Sequence, residues 1–203
     1  MSDIRPLPKI LDRVIRLARD PFWDVPVKVL LSAGLMGLLA PIALGSSGPV
    51  PITLQTFVIL VLSYLLGPVK ALLATGIYLL AGGFGLPVFA GGSAGWAKFA
   101  GPTGGFLFAF FLAAGLTGWL ASLRPKASLL WLVMVMMLGH ALILAKGLVW
   151  LGIWKGWAGL QDTALSLLPG ALIKSVLGGL VLWGIQAGLL FLLQRGDATS
   201  SSA

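Results

Sequence analysis

Apolar residues run through this chain in six stretches, roughly 27–44, 51–66, 68–82, 104–121, 128–151 and 169–193, with the polar residues gathered before and between them. A helix that crosses a bilayer needs about 20 mainly apolar residues, so each stretch predicts a membrane span. The second and third are short and meet at Gly67-Pro68, which predicts a tight helical hairpin. Between the third and fourth lies 83–103, too long for a turn and rich in glycine and aromatic residues where a solvated loop would be polar. Ahead of the first stretch, ILDRVIRLARDPFW puts Ile10, Val14, Leu17 and Ala18 on one helical face and Arg13, Arg16 and Arg19 largely on others. That pattern predicts a short helix lying on a membrane surface and ended by Pro21.

Composition strengthens this picture. Hydrophobic residues make up 58%, charged residues 10%, and the mean hydropathy is +1.01, values of an integral membrane protein. With no cysteine, disulfides, thiolate nucleophiles and cysteine metal sites are excluded. The acidic residues are Asp3, Asp12, Asp20, Asp24, Asp162 and Asp197, and glutamate is absent, so a buried carboxylate relay or carboxylate metal site has little to build on. The formal charge of +8 is scattered at the ends of apolar stretches without aromatic interleaving, which argues against nucleic acid.

Lys and Arg accumulate in cytoplasmic loops. With the N-terminus inside, Arg5, Lys9, Arg13, Arg16, Arg19, Lys28, Lys70, Arg124, Lys126 and Arg195 are cytoplasmic, and only Lys98 and Lys155 fall in outer loops. The expected organisation is a cytoplasmic amphipathic segment at 1–25, a six-helix membrane domain at 26–194, and a cytoplasmic tail at 195–203. The loops at 45–50, 83–103 and 152–168 are then external. No internal repeat is evident.

Candidate chemistry sits where glycine and proline interrupt the apolar runs, because non-helical backbone at membrane depth survives only where protein buries it or it lines a cavity. PVPITLQTF offers Thr53, Gln55 and Thr56 to freed backbone groups or to a polar ligand; a helix N-terminus with Thr53 in its cap or first turn fits equally well. In GGFGLPVFAGGSAGWAKFAGPTGGF, Phe84, Phe89, Trp96 and Phe99 supply apolar walls for a lid, while glycines at 91, 92, 95, 101, 104 and 105 let backbone approach a ligand closely. An interfacial loop anchored by Trp96 and Phe99 is the plainer reading. Gly101–Gly105 lacks the Lys-Ser/Thr of a phosphate loop. His140 has no second ligand at metal spacing and reads first as a polar core residue. Lys146 lies near a helix end and can snorkel. Lys174, one turn beyond a predicted break at Pro169-Gly170, is a functional candidate by its place in an apolar run. Ala33 and Gly37 form a small-xxx-small pair where another helix, internal or from a partner, can approach.

At PVPITLQTF, GLPVFAGG, AGPTGGF, LGHALI, GLVWL and PGALIK the chain resembles the BioY family, the biotin-binding S components of energy-coupling-factor transporters. The resemblance covers about 27–193. It implies an all-α, six-helix S-component fold with the long glycine-rich loop outside, in a bacterial cytoplasmic membrane. It also implies biotin captured from the outer side, no cofactor, and partnership with a transmembrane coupling protein and two ATPases. Carried onto this sequence, it implies a substrate site at Thr53, Gln55, Phe89, Gly91, Trp96, Thr103, His140, Ala171 and Lys174, and partner contact at Ala33 and Gly37. The chain departs from the family at Ala171, where the pattern has aspartate three residues before the lysine, and at Phe106, where it has tyrosine. A carboxylate at the first position would accept from the N–H groups of a cyclic urea, so either Gln55, Thr53 or loop carbonyls take its place, or the substrate or its affinity differs. The competing readings are an S-component-like transporter of another small heterocycle, and an integral membrane enzyme using His140 and Lys146. The second lacks a partnered acid–base pair.

Overall fold

The structure, a computed structural model, describes residues 21–47 and 50–200, with side chains for 24–45 and 50–189. Residues 1–20 of the expected amphipathic segment lie outside this range. In chain order the elements are α1 (Pro21–Leu39), an antiparallel pair β1 (Ala43–Ser47) and β2 (Val50–Thr53), α2 (Gln55–Leu66), α3 (Pro68–Gly83), a 3-10 turn (Ala90–Gly92), the single-turn α4 (Ala97–Ala100), α5 (Gly104–Leu123), α6 (Leu129–Lys155) and α7 (Leu160–Ser200).

Three of the seven described helices are long and apolar enough to cross a membrane: α5, α6 and the Leu160–Leu189 part of α7. Their outer faces stay apolar, with Leu130 71% and Ile153 72% exposed, as hydrocarbon rather than water requires. α2 has only 12 residues, about 18 Å at 1.5 Å per residue and well short of a hydrocarbon core of ~30 Å. Yet it packs against α1, α3, α5, α6 and α7. The short helix is central, and its N-terminus ends inside the bundle.

Here the expected boundaries need correction. The stretches 27–44 and 51–66 read as whole spans, but α1 stops at Leu39, α2 starts at Gln55, and the chain between them forms the strand pair. Pro41, Pro49 and Pro51 lack the N–H that helix continuation needs. Pairing of Ala43 with Thr53, Gly45 with Ile52 and Ser46 with Pro51 meets the backbone demand instead, with an irregularity between Ala43 and Gly45. The break predicted at Pro169-Gly170 is absent: α7 begins at Leu160 and runs through Pro169, at the expense of one helical hydrogen bond. It also continues through 195–200, read from sequence as tail. Pro21 is the first described residue of α1, and the helix expected to end at it lies outside the described residues.

Gly67, at φ 75°, and Pro68 make the predicted turn between α2 and α3. α5 and α6 meet so closely that a Cβ on Gly105 would lie 2.1 Å from Cβ of Trp150. At the opposite end Asp24 of α1 accepts from Lys70 of α3 at 2.7 Å and pairs with Lys28.

Candidate functional site

One polar edge of the site comes from the β2–α2 junction, where the chain becomes helical only at Gln55. β2 delivers Thr53 and α2 opens with Gln55 and Thr56, all at the inner end of the central helix. Thr53 and Gln55 are only 4% exposed. The N-cap position of α2 is Leu54, whose side chain caps nothing, while Thr53 Oγ1 accepts from the Gln55 N–H at 3.3 Å. Thr53 thus does part of the predicted work from one residue further out.

α7 approaches this end of α2 with Ala171, Lys174 and Ser175. Lys174 Nζ donates to the carbonyl of Thr53 at 2.6 Å and reaches Thr56 Oγ1 at 3.4 Å. An ammonium has three protons, so one remains for a ligand. His140 completes the floor. Its Nδ1 faces the Met136 carbonyl at 3.0 Å, a group that only accepts, so Nδ1 carries the proton. Nε2 then accepts from the Thr56 hydroxyl at 3.2 Å, which turns the Thr56 lone pairs toward Lys174. Ser175 Oγ, 3.0 Å from Nδ1, donates to the Ala171 carbonyl at 2.8 Å. His140 is therefore the core polar residue the sequence suggests, and it also steadies the group that steadies the lysine.

The roof is the segment after α3. Phe89 is 2% exposed, and its ring lies where a Cβ on Gly82 would sit 2.2 Å away, so glycine there lets the loop press onto α3. Edge contacts join Tyr78 to Phe89 and Phe89 to Phe99, each with centroids 5.8 Å apart, and Phe99 meets Phe108 of α5 at 5.6 Å. The N–H of Gly91 donates to Pro41 at 3.1 Å, that of Gly95 to Gly82 at 2.7 Å, and the Trp150 indole to Gly101 at 2.9 Å. These bonds tie the segment to the turn after α1, to α3 and to α6. The glycines at 104 and 105 serve helix packing instead of ligand approach.

Together these parts enclose a cavity of about 430 Å³. Seven of the expected site residues line it: Thr53, Gln55, Phe89, Thr103, His140, Ala171 and Lys174. Gly91 and Trp96 do not. Gly91 turns the loop beside the lining residue Ala90, at φ 63°, and Trp96 is half exposed outside the wall, meeting Phe84 edge-on and Phe99 at a tilt. Lys98 reaches the mouth, whereas Lys146 and Lys155 are exposed elsewhere. Apolar lining comes from residues that sequence reasoning passed over, among them Leu107, Phe110 and Ile143. Tyr78 was missed as well. It is 1% exposed, accepts from Gln55 Nε2 at 2.6 Å and donates to the Val88 carbonyl at 3.1 Å. A tyrosine inside an apolar run was the available signal, because a buried phenol needs a partner. Ala33 and Gly37 face inward: Ala33 is in the core, and a Cβ on Gly37 would meet Val88 at 3.1 Å.

No carboxylate lines this cavity among the described residues; its charged groups are two lysines, and most of its wall is apolar. Such a chamber suits a small, mainly apolar molecule with an anionic or carbonyl end. Relatives point the same way. The chain is 39% identical over 124 residues to a biotin transporter BioY of Thermotoga maritima, covering 60% of this chain and 72% of that one. It is 34% identical over 173 residues to a biotin transporter BioY of Rhizobium etli, covering 79% and 90%. With biotin transporter BioY2 of Lactococcus lactis it shares 37% identity over 124 residues, 61% of this chain and about two thirds (66%) of that one. Its fold matches the crystal structure of the S-component for biotin from an ECF-type ABC transporter with a TM-score of 0.71 at 26% identity, over 81% of this chain and 91% of that one. The BioY family model itself matches residues 16–190, which takes in every element of the cavity, and the chain belongs to the BioY family.

Proposed function

We propose that this chain is the membrane-embedded component that captures biotin for uptake across the cytoplasmic membrane. The observation that carries the reading is the cavity, with apolar walls and the tethered ammonium of Lys174 at its polar end. Biotin joins an apolar bicycle and an aliphatic tail to a ureido ring and a carboxylate. Lys174 has a proton to give to an oxygen at one end, and Lys98 at the mouth offers a cation to the other. The chain acts as a transporter component and not as an enzyme, in keeping with its BioY family membership and its transporter relatives.

In this reading α5, α6 and α7 span the bilayer, the shorter α2 and α3 and the part of α1 from Pro26 onward complete a six-helix bundle within 26–194, the 83–103 segment lies outside, and both termini are cytoplasmic. The lysine and arginine distribution supports that orientation. Partnership with a transmembrane coupling protein and ATPases follows the S-component likeness. With Ala33 and Gly37 turned inward, the contact falls on the outward face of α1 at Gly34, where an added Cβ would meet nothing within 4 Å.

One observation favours a second reading. Ala171 lines the cavity and supplies no acceptor for a ureido N–H, so a different small heterocycle fits the same scaffold. Calorimetry and thermal unfolding of the purified protein with biotin, thiamine and riboflavin separate the two. A ligand at 100 times its dissociation constant stabilises by about 2.7 kcal/mol, a visible shift. Absence of heat and of any shift with biotin refutes the biotin reading.

A further inference from the structure

We infer that Tyr78, which does not line the cavity, sets ligand specificity by locking the Gln55 amide so that its oxygen faces a ligand N–H. The inference rests on the biotin reading and identifies the acceptor that stands in for the missing carboxylate at Ala171. A phenol has one proton to donate. The Val88 carbonyl, 3.1 Å away, only accepts, so it takes that proton. At 2.6 Å Gln55 must then donate to Tyr78, which assigns Nε2 to that side and turns Oε1 away from it.

Gln55 lines the cavity, and among the described residues Oε1 meets no donor. The neighbouring acceptors are already engaged. The Thr53 carbonyl takes Lys174, Thr56 Oγ1 lies between Lys174 and His140, and the Ala171 carbonyl takes Ser175. An amide oxygen without a partner beside a cavity that holds no carboxylate is therefore the group suited to a ureido N–H. Because Val88 belongs to the roof, the same phenol fixes the amide only while the roof is in place.

The test compares binding of biotin with binding of biotin methylated on either ureido nitrogen, by calorimetry on the purified full chain. Parent protein should prefer biotin over at least one methylated form. Tyr78→Phe frees the amide to rotate, so biotin should weaken about two- to tenfold, the worth of one hydrogen bond, while that methylated form is unaffected. Gln55→Glu added to Tyr78→Phe offers an acceptor in either orientation and should restore the preference. A purely structural role would weaken every ligand alike and would not be rescued; either result overturns the inference. Where Tyr78→Phe does not survive purification, Gln55→Met in the parent should abolish the preference, and an unchanged preference overturns it. Parent protein that fails to bind biotin at all defeats the underlying biotin reading, a different outcome from binding without N–H discrimination.

Discussion

Lys174 and Thr53 stand 121 positions apart, and the ammonium of one donates to the backbone carbonyl of the other at 2.6 Å. The contact locks α7 to the strand that feeds α2, and it makes the position of a charged group inside an apolar bundle depend on irregular backbone. Irregular backbone at that depth has a carbonyl free for the lysine, which a helix interior would not.

Removing this lysine should therefore be felt mainly by the ligand. A hydrogen bond involving a charged group is worth about 1.5–3 kcal/mol, so Lys174→Ala should weaken biotin about ten- to a hundredfold in calorimetry. Unchanged affinity would mean that the ammonium serves only to hold Thr53.

Restoring a carboxylate should act oppositely. Ala171 lines the cavity one turn from Lys174, so Ala171→Asp gives both a partner for the ammonium and an acceptor for a ureido N–H. Biotin should bind more tightly than in the parent, and by more than any analogue methylated at the ureido nitrogens. Equal gains for both ligands would assign the effect to charge alone.

Close helix packing at the roof sets a stability prediction. Gly105→Ala would bring a methyl to 2.1 Å from Cβ of Trp150, an atom that cannot swing aside. Overpacking of this kind costs about 1–3 kcal/mol. The melting temperature should fall, and the Gly101 contact of the Trp150 indole should loosen with it, seen as a change in tryptophan fluorescence. A variant as stable as the parent would show that α5 and α6 separate freely.

At the other end of the bundle, hydrogen bonds from Lys28 and then Lys70 hold the Asp24 carboxyl below its ordinary pKa of 3.8. A folded pKa lower than the unfolded one gives stability that is complete above the unfolded value, near pH 4, and is lost as pH falls through the folded value. Melting measured from about pH 6 to about pH 3 should accordingly drop less in Asp24→Asn than in the parent. Identical slopes would place the acid sensitivity elsewhere.

The roof should respond to ligand. Amides of Gly91 and Gly95, bonded to Pro41 and Gly82, should exchange more slowly with biotin bound. Exchange that ignores ligand would make 84–103 a static cover.

The sequence by itself determined the membrane setting, the helical class and the Gly67-Pro68 turn, and it singled out seven residues that line the cavity, because these depend on local quantities. Apolar run length, an interrupting proline, and a lysine or histidine where hydrocarbon should be are all visible without a neighbour. Family motifs brought Thr53, Gln55, His140 and Lys174 together before any geometry did. Only the tertiary structure decided the rest. Whether Pro169 breaks a helix depends on what its neighbours can satisfy, and α7 passes through it while α1 stops just before Pro41. Whether Trp96 or Phe99 faces a ligand depends on which side of the roof each lies, a matter of loop path rather than residue type. Ala33 and Gly37 carry the spacing of an interface, but spacing cannot say which side of α1 meets α3. Tyr78, 23 positions from Gln55, acquires its role only through a hydrogen bond, since pairing between distant polar groups is set by packing and leaves no periodic trace in the chain.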